Sequence, residues 1–284
     1  MEKPIISFPF LGENFVLNPR SSINVFGFEM YLYGIIIAVG FILAVIYAIK
    51  RAPEFGLTED NIIDMLIVTV PTAIVGARLY YVVFDFDNYK ADNFIGMLGK
   101  IVNIRNGGLA IYGGIIFAVA AVLLFCRAKK IPAGKMLDIG GFGLLIGQAV
   151  GRWGNFVNRE AYGAQTEIFC KMGLTYQNGT TIYVHPTFLY ESLWNTMGFI
   201  LLHIYSKRHK KTFDGQFFAM YAAWYGFGRF WIEWLRLTTD SLLLIDTPSF
   251  KLPISVCVAF LSFICAVGYL IYELNKNKNL NSEL

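Results

Sequence analysis

Charge is what this 284-residue chain has least of: Asp, Glu, Lys and Arg make up 15% of it, against 56% hydrophobic residues and a mean hydropathy of +0.51. A soluble domain carries about a quarter charged residues, so there is too little charge here to wet a globular surface. Disorder needs high charge and low hydrophobicity, and is excluded too. Histidine is rarer still, with three residues. The four cysteines, Cys126, Cys170, Cys257 and Cys265, have neither metal-like spacing nor the pattern of a disulfide framework, and three lie in apolar runs as candidate core residues. Without a His or Cys cluster, neither a metal nor another cofactor is expected. A phosphate loop ending in Lys-Ser/Thr and a Gly-x-Ser-x-Gly elbow are also missing. The net charge of +4 is small and gathered in short clusters, which argues against a nucleic-acid partner.

What the chain has instead is long apolar runs. A membrane span needs about 20 predominantly apolar residues, and roughly seven stretches qualify: 27–49, 62–84, 108–126, 137–157, 187–205, 215–235 and 252–273. The fold class expected is an all-α polytopic membrane protein, in one integral-membrane domain over residues 1–284. The first run is expected to remain as a helix, because it is too long for a signal-peptide core and little positive charge precedes it. Basic clusters follow the odd-numbered runs: Lys50 and Arg51; Arg127, Lys129, Lys130 and Lys135; Lys207, Arg208, Lys210 and Lys211; Lys276 and Lys278. The opposite loops (85–107, 158–186, 236–251) are longer and mixed in sign. The positive-inside rule then puts the N-terminus outside and the C-terminus in the cytoplasm. The loop 158–186 is long enough for local structure, and its Asn178-Gly179-Thr180 matches a glycosylation sequon of little weight.

Against this background the ionisable residues within apolar runs stand out: Arg78, Asp138, Arg152, Arg229 and Glu233, with Glu160 and Glu191 near outer ends. Each costs about 2.5–3.5 kcal/mol at the centre of a span. Several in one chain imply a polar cavity, since lone charges facing lipid oppose insertion. In the fourth run Gly143, Gly147 and Gly151 form a small-residue stripe that lets a helix approach. On another face Gln148, Arg152 and Asn155 fall at i, i+4 and i+7. Together these describe the wall of a cleft. In the sixth run Arg229 and Glu233 are spaced for a helical ion pair, with Arg236 three residues on, and a held guanidinium is oriented for phosphate oxygens. Tyr31 and Tyr33, Tyr112 between Gly107-Gly108 and Gly113-Gly114, and His185-Pro186 with Tyr190-Glu191 belong at the same outer depth. Arginines, amides, phenols and carboxylates around one cavity suit an anionic phospholipid headgroup. The residues leave two classes open, a lipid-modifying transferase and a lipid or anion transporter.

The stretch Gly151-Arg152-Trp153-Gly154-Asn155-Phe156-Val157-Asn158-Arg159-Glu160-Ala161-Tyr162-Gly163 resembles the signature G-R-x-G-N-F-x-N-x-E-x-x-G of prolipoprotein diacylglyceryl transferases, matching every fixed position. Tyr33-Gly34, the segment Gly107 to Gly114, His185 to Glu191 and Arg229 to Glu233 look like further family segments in the right order. The resemblance implies a seven-span enzyme of the bacterial inner membrane, without metal, whose active site faces the outer leaflet. It would move the diacylglyceryl group of phosphatidylglycerol to the lipobox cysteine of a prolipoprotein signal peptide. It implies a phosphatidylglycerol-binding role for Arg152 and substrate contacts at Gly163, His185 and Glu191. It also implies catalytic roles for Tyr33, Asn155, Glu160, Arg229 and Glu233. Where some members carry a histidine as thiol base, this chain has Tyr112; a phenol of ordinary pKa about 10 is a poor base at neutral pH. Proton acceptance is open among Glu160, Tyr112 and His185, in that order.

Overall fold

The computed structural model describes residues 3–12, 15–25, 27–90, 93–104, 107–236, 243–246 and 251–282. It is mostly helical, with α1 (Leu32–Arg51), α2 (Glu59–Phe84), α3 (Phe94–Val102), α4 (Ile111–Lys129), α5 (Ala133–Asn158), α6 (Thr187–Arg208), α7 (Gln216–Leu235) and α8 (Ile254–Ser282). Among the described residues four segments are long and apolar enough to cross a membrane: Leu32–Phe55, Glu59–Phe84, Ile111–Lys129 and Ile254–Asn279. The other three long helices, α5, α6 and α7, have 26, 22 and 20 residues. At 1.5 Å per residue they reach spanning length, but they also carry most of the buried polar side chains.

The chain divides into two compact units, Met1–Ala48 with Asp138–Leu284, and Ile49–Leu137. In the second unit α2 and α4 pack where Gly76 meets Gly113: a Cβ on Gly113 would run into the Gly76 carbonyl, and one on Gly76 into the Phe117 ring. Gly113, one residue after Tyr112, permits this close approach of backbone. The loop 85–107 holds the short helix α3, and Arg78 closes it. Arg78 is buried and donates to the carbonyls of Lys100, Ile101, Asn103, Gly107 and Gly108 at 2.7–2.9 Å. All five guanidinium N–H groups are so occupied, and the Tyr89 ring lies 4.9 Å from Cζ. Arg78 is therefore a structural clasp for the end of α3 rather than part of a polar cavity. Gly107 and Gly108 present their carbonyls to it at φ of 84° and 79°, which glycine adopts without strain. The same turn delays α4 to Ile111, three residues later than the apolar run begins.

Among its described residues the first unit carries eight short strands, which an all-α fold class does not include. β1 (Ile5–Ser7), β2 (Val16–Leu17), β5 (Met172–Thr175) and β6 (Thr181–Val184) form one antiparallel sheet in the order β2-β1-β5-β6, with Ile6 opposite both Leu17 and Leu174. β3 (Ser22–Val25) and β4 (Phe28–Tyr31) make a hairpin, so 27–31 is turn and strand and the first helix starts at Leu32. A third hairpin joins β7 (Leu243–Asp246) to β8 (Lys251–Pro253). Asn178-Gly179 forms the β5–β6 turn, with Gly179 at φ 80° and the Thr180 N–H donating to Asn178 Oδ1 at 3.0 Å. Beneath the sheet Ile6, Phe8, Met172, Leu174, Val184 and Phe188 form a buried core that takes in Phe156 of α5 and Leu189 of α6. The sheet thereby anchors the ends of α5 and α6.

Two devices set the helix register. The Gly143, Gly147 and Gly151 face of α5 meets α1: a Cβ on Gly151 would lie 3.1 Å from Ile37, one on Gly143 3.6 Å from Ala44, and one on Gly40 3.5 Å from the Gly147 carbonyl. Between α6 and α7, Trp194 and Trp224 stack at 4.3 Å, and each indole donates to the other's backbone carbonyl at 3.0–3.1 Å. Each ring fills the space over a glycine of the opposite helix, Gly228 and Gly198. At the far end, the buried Asp138 of α5 accepts from the backbone N–H groups of Gly215, Phe217 and Phe218 and pairs with Lys211 at 3.4 Å. It thus caps α7 from a neighbouring helix. All four cysteines are free; Cys126 is buried, but Cys265 lies on an exposed face of α8 and is not a core residue.

Candidate active site

Three helices of the first unit bring their charges together. Glu191 of α6 binds Arg152 of α5 through Oε2 at 2.5 Å and Arg229 of α7 through Oε1 at 3.0 Å. Glu233 holds Arg229 at 2.6 Å and Arg236 at 3.3 Å, and accepts from the Ser255 hydroxyl at 2.9 Å. The helical spacing of Arg229 and Glu233 foretold their pair. The bridge through Glu191 joins positions far apart in sequence, and no spacing could reveal it. Arg236 and Ser255 complete the network; Ser255 stands at the start of α8 with no local signal of its role.

The burial pattern is asymmetric. The Glu191 and Glu233 side chains are 4% and 8% exposed, whereas Arg152, Arg229 and Arg236 are 21%, 19% and 22% exposed. The carboxylates sit behind and the guanidiniums in front. Three positive groups against two negative ones leave a net positive charge, held in place by its own counterions and turned toward an anion.

On the next turn of α5 the network continues through amides. Arg152 Nη1 donates to Asn155 Oδ1 at 3.3 Å, and Asn155 Nδ2 donates to Glu160 Oε1 at 3.0 Å. Asn158 Nδ2 reaches the same Glu160 oxygen at 3.2 Å. Glu160 can turn back because α5 ends at Asn158 and the next residue, Arg159, has a φ of 53° in the left-handed region, as does Ala161 at 55°. Such conformations are strained for non-glycine residues and persist when the surroundings enforce them. Here the Arg159 side chain does so, donating to the carbonyls of Pro4 and Val157 and to Asn18 Oδ1.

Gly163 follows in a cramped passage. Its N–H donates to the His185 carbonyl at 2.9 Å, and a Cβ there would lie 2.6 Å from the His185 Cβ and 2.8 Å from the Leu235 carbonyl. His185 Nδ1 is 3.4 Å from the Tyr190 hydroxyl, and burial pushes the imidazole pKa below its ordinary value, favouring the neutral ring. Tyr33 opens α1 and lays its ring over Gly154 of the signature, where a Cβ would come within 2.7 Å. On the α1 side a cavity of about 320 Å³ separates Ile35, Ile36 and Val39 from Trp153, Ser192 and Thr196. Tyr112 belongs to the other unit, in the first turn of α4, where its side chain is exposed.

The residues expected from the sequence thus divide. Arg152, Asn155, Glu160, Glu191, Arg229 and Glu233 form one continuous polar network, Tyr33 packs against its helix, and Gly163 and His185 pack against each other. Among the described residues no group of three His, Cys, Asp or Glu is placed to hold a metal ion.

Comparison with known proteins points the same way. A family model described as prolipoprotein diacylglyceryl transferase matches residues 20–272. A protein of Finegoldia magna is 45% identical over 223 residues, covering 78% of this chain and 85% of its own length. One of Listeria welshimeri is 42% identical, covering 85% and 84%, and one of Lactiplantibacillus plantarum 38% identical, covering 88% of each. All three are named phosphatidylglycerol-prolipoprotein diacylglyceryl transferase. With the signature Gly151 to Gly163 built into the arginine network, and the match extending over most of the sequence, the chain belongs to the prolipoprotein diacylglyceryl transferase family.

Proposed function

We propose that this chain transfers the diacylglyceryl group of phosphatidylglycerol to the thiol of the lipobox cysteine in prolipoprotein signal peptides, the first step of bacterial lipoprotein maturation. A carbon–sulfur bond forms at the glycerol carbon, the bond from that carbon to the phosphate oxygen breaks, and glycerol phosphate leaves. The observation that carries this reading is the outward-facing arginine layer on two buried carboxylates, found in a chain of this family.

A thiol of pKa about 8.5 is partly ionised at neutral pH and is intrinsically nucleophilic. The larger demand is on the leaving phosphate, where negative charge grows. Arg152 would bind the phosphate and Arg229 would stabilise that charge, a contribution of about 3–4 kcal/mol for a well-placed donor. Glu191 and Glu233 would hold both guanidiniums in position. Asn155 and Tyr33 would orient headgroup or diacylglycerol oxygens, and Gly163 and His185 would shape the substrate-binding side. Glu160 leads as proton acceptor, ahead of Tyr112 and His185. The apolar wall of the cavity between α1, α5 and α6 suits an acyl chain of the surrounding membrane lipids.

The proposed setting is the bacterial inner membrane, crossed seven times by a single domain over residues 1–284, with the N-terminus outside, the C-terminus in the cytoplasm and the active site toward the outer leaflet. Seven helices of 19–29 residues among the described residues, and basic residues at alternate ends, support it. The test is direct: purified protein is incubated with phosphatidylglycerol and a lipobox peptide. A diacylglyceryl mass gain on the cysteine with release of glycerol phosphate is expected; lipid movement without that adduct would overturn the reading in favour of transport.

A further inference from the structure

One helical turn from the arginines, on the Asp138 side, lies a second polar layer. Gln148 is four residues before Arg152 on α5, Asn195 four after Glu191 on α6, and Tyr225 four before Arg229 on α7. Contacts keep these helices in register. Ser192 Oγ donates to the Ala149 carbonyl at 2.8 Å, Trp153 Nε1 donates to Ser192 Oγ at 3.2 Å, and Gln148 Nε2 donates to the Tyr221 hydroxyl at 3.0 Å. Within this layer Asn195 is 2% exposed, and its Oδ1 is buried without a hydrogen bond from any described group. The Gln148 Oε1 is in the same condition. A buried amide oxygen is normally satisfied, so Asn195 Oδ1, with no hydrogen-bond partner among the described residues, is open to a donor from a bound molecule.

We infer that Asn195, with Gln148 in the same layer, is the subsite that accepts hydrogen bonds from the free hydroxyls of the phosphatidylglycerol headgroup, and so selects a glycerol headgroup. The inference rests on the transferase reading above and deepens it. With the phosphate on Arg152 and Arg229, the headgroup glycerol has one helical turn, 5.4 Å, to cover, which suits a three-carbon diol. Each amide oxygen has two lone pairs to offer. An ammonium headgroup could also donate to such oxygens. It would, however, lie next to three guanidiniums opposed by only two buried carboxylates, and like charges repel. A neutral donor fits.

The test compares phosphatidylglycerol with phosphatidylpropanol, which keeps the phosphodiester and the three-carbon length but has no hydroxyl. Two readouts are used on the full-length protein in detergent: kcat/KM for thioether formation on a lipobox peptide, and lipid retention by native mass spectrometry. The wild type is expected to prefer phosphatidylglycerol by about tenfold or more in both, as expected for loss of hydrogen bonds to a buried polar site. Asn195→Leu should remove most of that preference by raising KM for phosphatidylglycerol while leaving phosphatidylpropanol unchanged. Asn195→Ala, smaller and without a side-chain acceptor, is read in the same way if the leucine variant does not fold. Equal losses on both lipids, or a preference that survives the substitution, would overturn the subsite. Retention that discriminates between the lipids without thioether formation would leave the subsite standing and sink the transferase reading.

Discussion

Arg152 and Arg229, on different helices, bind opposite oxygens of one buried carboxylate, that of Glu191. Glu191 therefore sets the spacing of the two guanidiniums. Breaking a buried ion network by neutralising one member costs about 3–5 kcal/mol, because the remaining charges lose their counterion. Glu191→Gln is expected to unfold at a lower temperature in detergent and to lose transfer by about a hundredfold, the two arginines no longer being held together. Wild-type turnover in this variant would show that the carboxylate does not position them.

Arg229 donates to two different carboxylates from its two terminal nitrogens. A lysine ammonium is a point charge and cannot hold both while facing a phosphate. Arg229→Lys should lower kcat by about a hundredfold, in line with removal of one oxyanion donor. A wild-type rate would reduce Arg229 to a structural ion pair. For Arg152→Ala the expectation is an inserted, folded protein without transfer activity.

The thiol base can be sought by a pair of substitutions. Glu160 accepts from both Asn155 and Asn158 on one oxygen, and Tyr112 occupies the position where some family members have histidine. Glu160→Gln is expected to abolish transfer and Tyr112→Phe to retain it, measured as initial rates across pH. The opposite result would move proton acceptance to the phenol.

Gly163 has no room for a side chain, with the His185 Cβ and the Leu235 carbonyl both within 3 Å of a built Cβ. Gly163→Ala should destabilise by about 1–3 kcal/mol through overpacking and displace the 163–185 backbone contact. Thermal unfolding in detergent would detect it; an unchanged midpoint would mean that the loop yields without cost.

The composition alone determined that this is a membrane protein, because 15% charged residues cannot cover a soluble surface. Local spacing determined the glycine face of α5, the polar row of Gln148, Arg152 and Asn155, and the Arg229 and Glu233 pair, since each depends only on the 3.6-residue period of a helix. The four-stranded sheet was not legible: its strands have two to four residues, and β1 pairs with β5 across most of the chain. Nor was the difference between Arg78 and Arg152, two arginines in apolar runs. One spends every N–H on backbone carbonyls, and the other faces outward from a shared carboxylate. Only tertiary structure decides this, because a charge in a span takes its role from the partners that neighbouring segments bring to it.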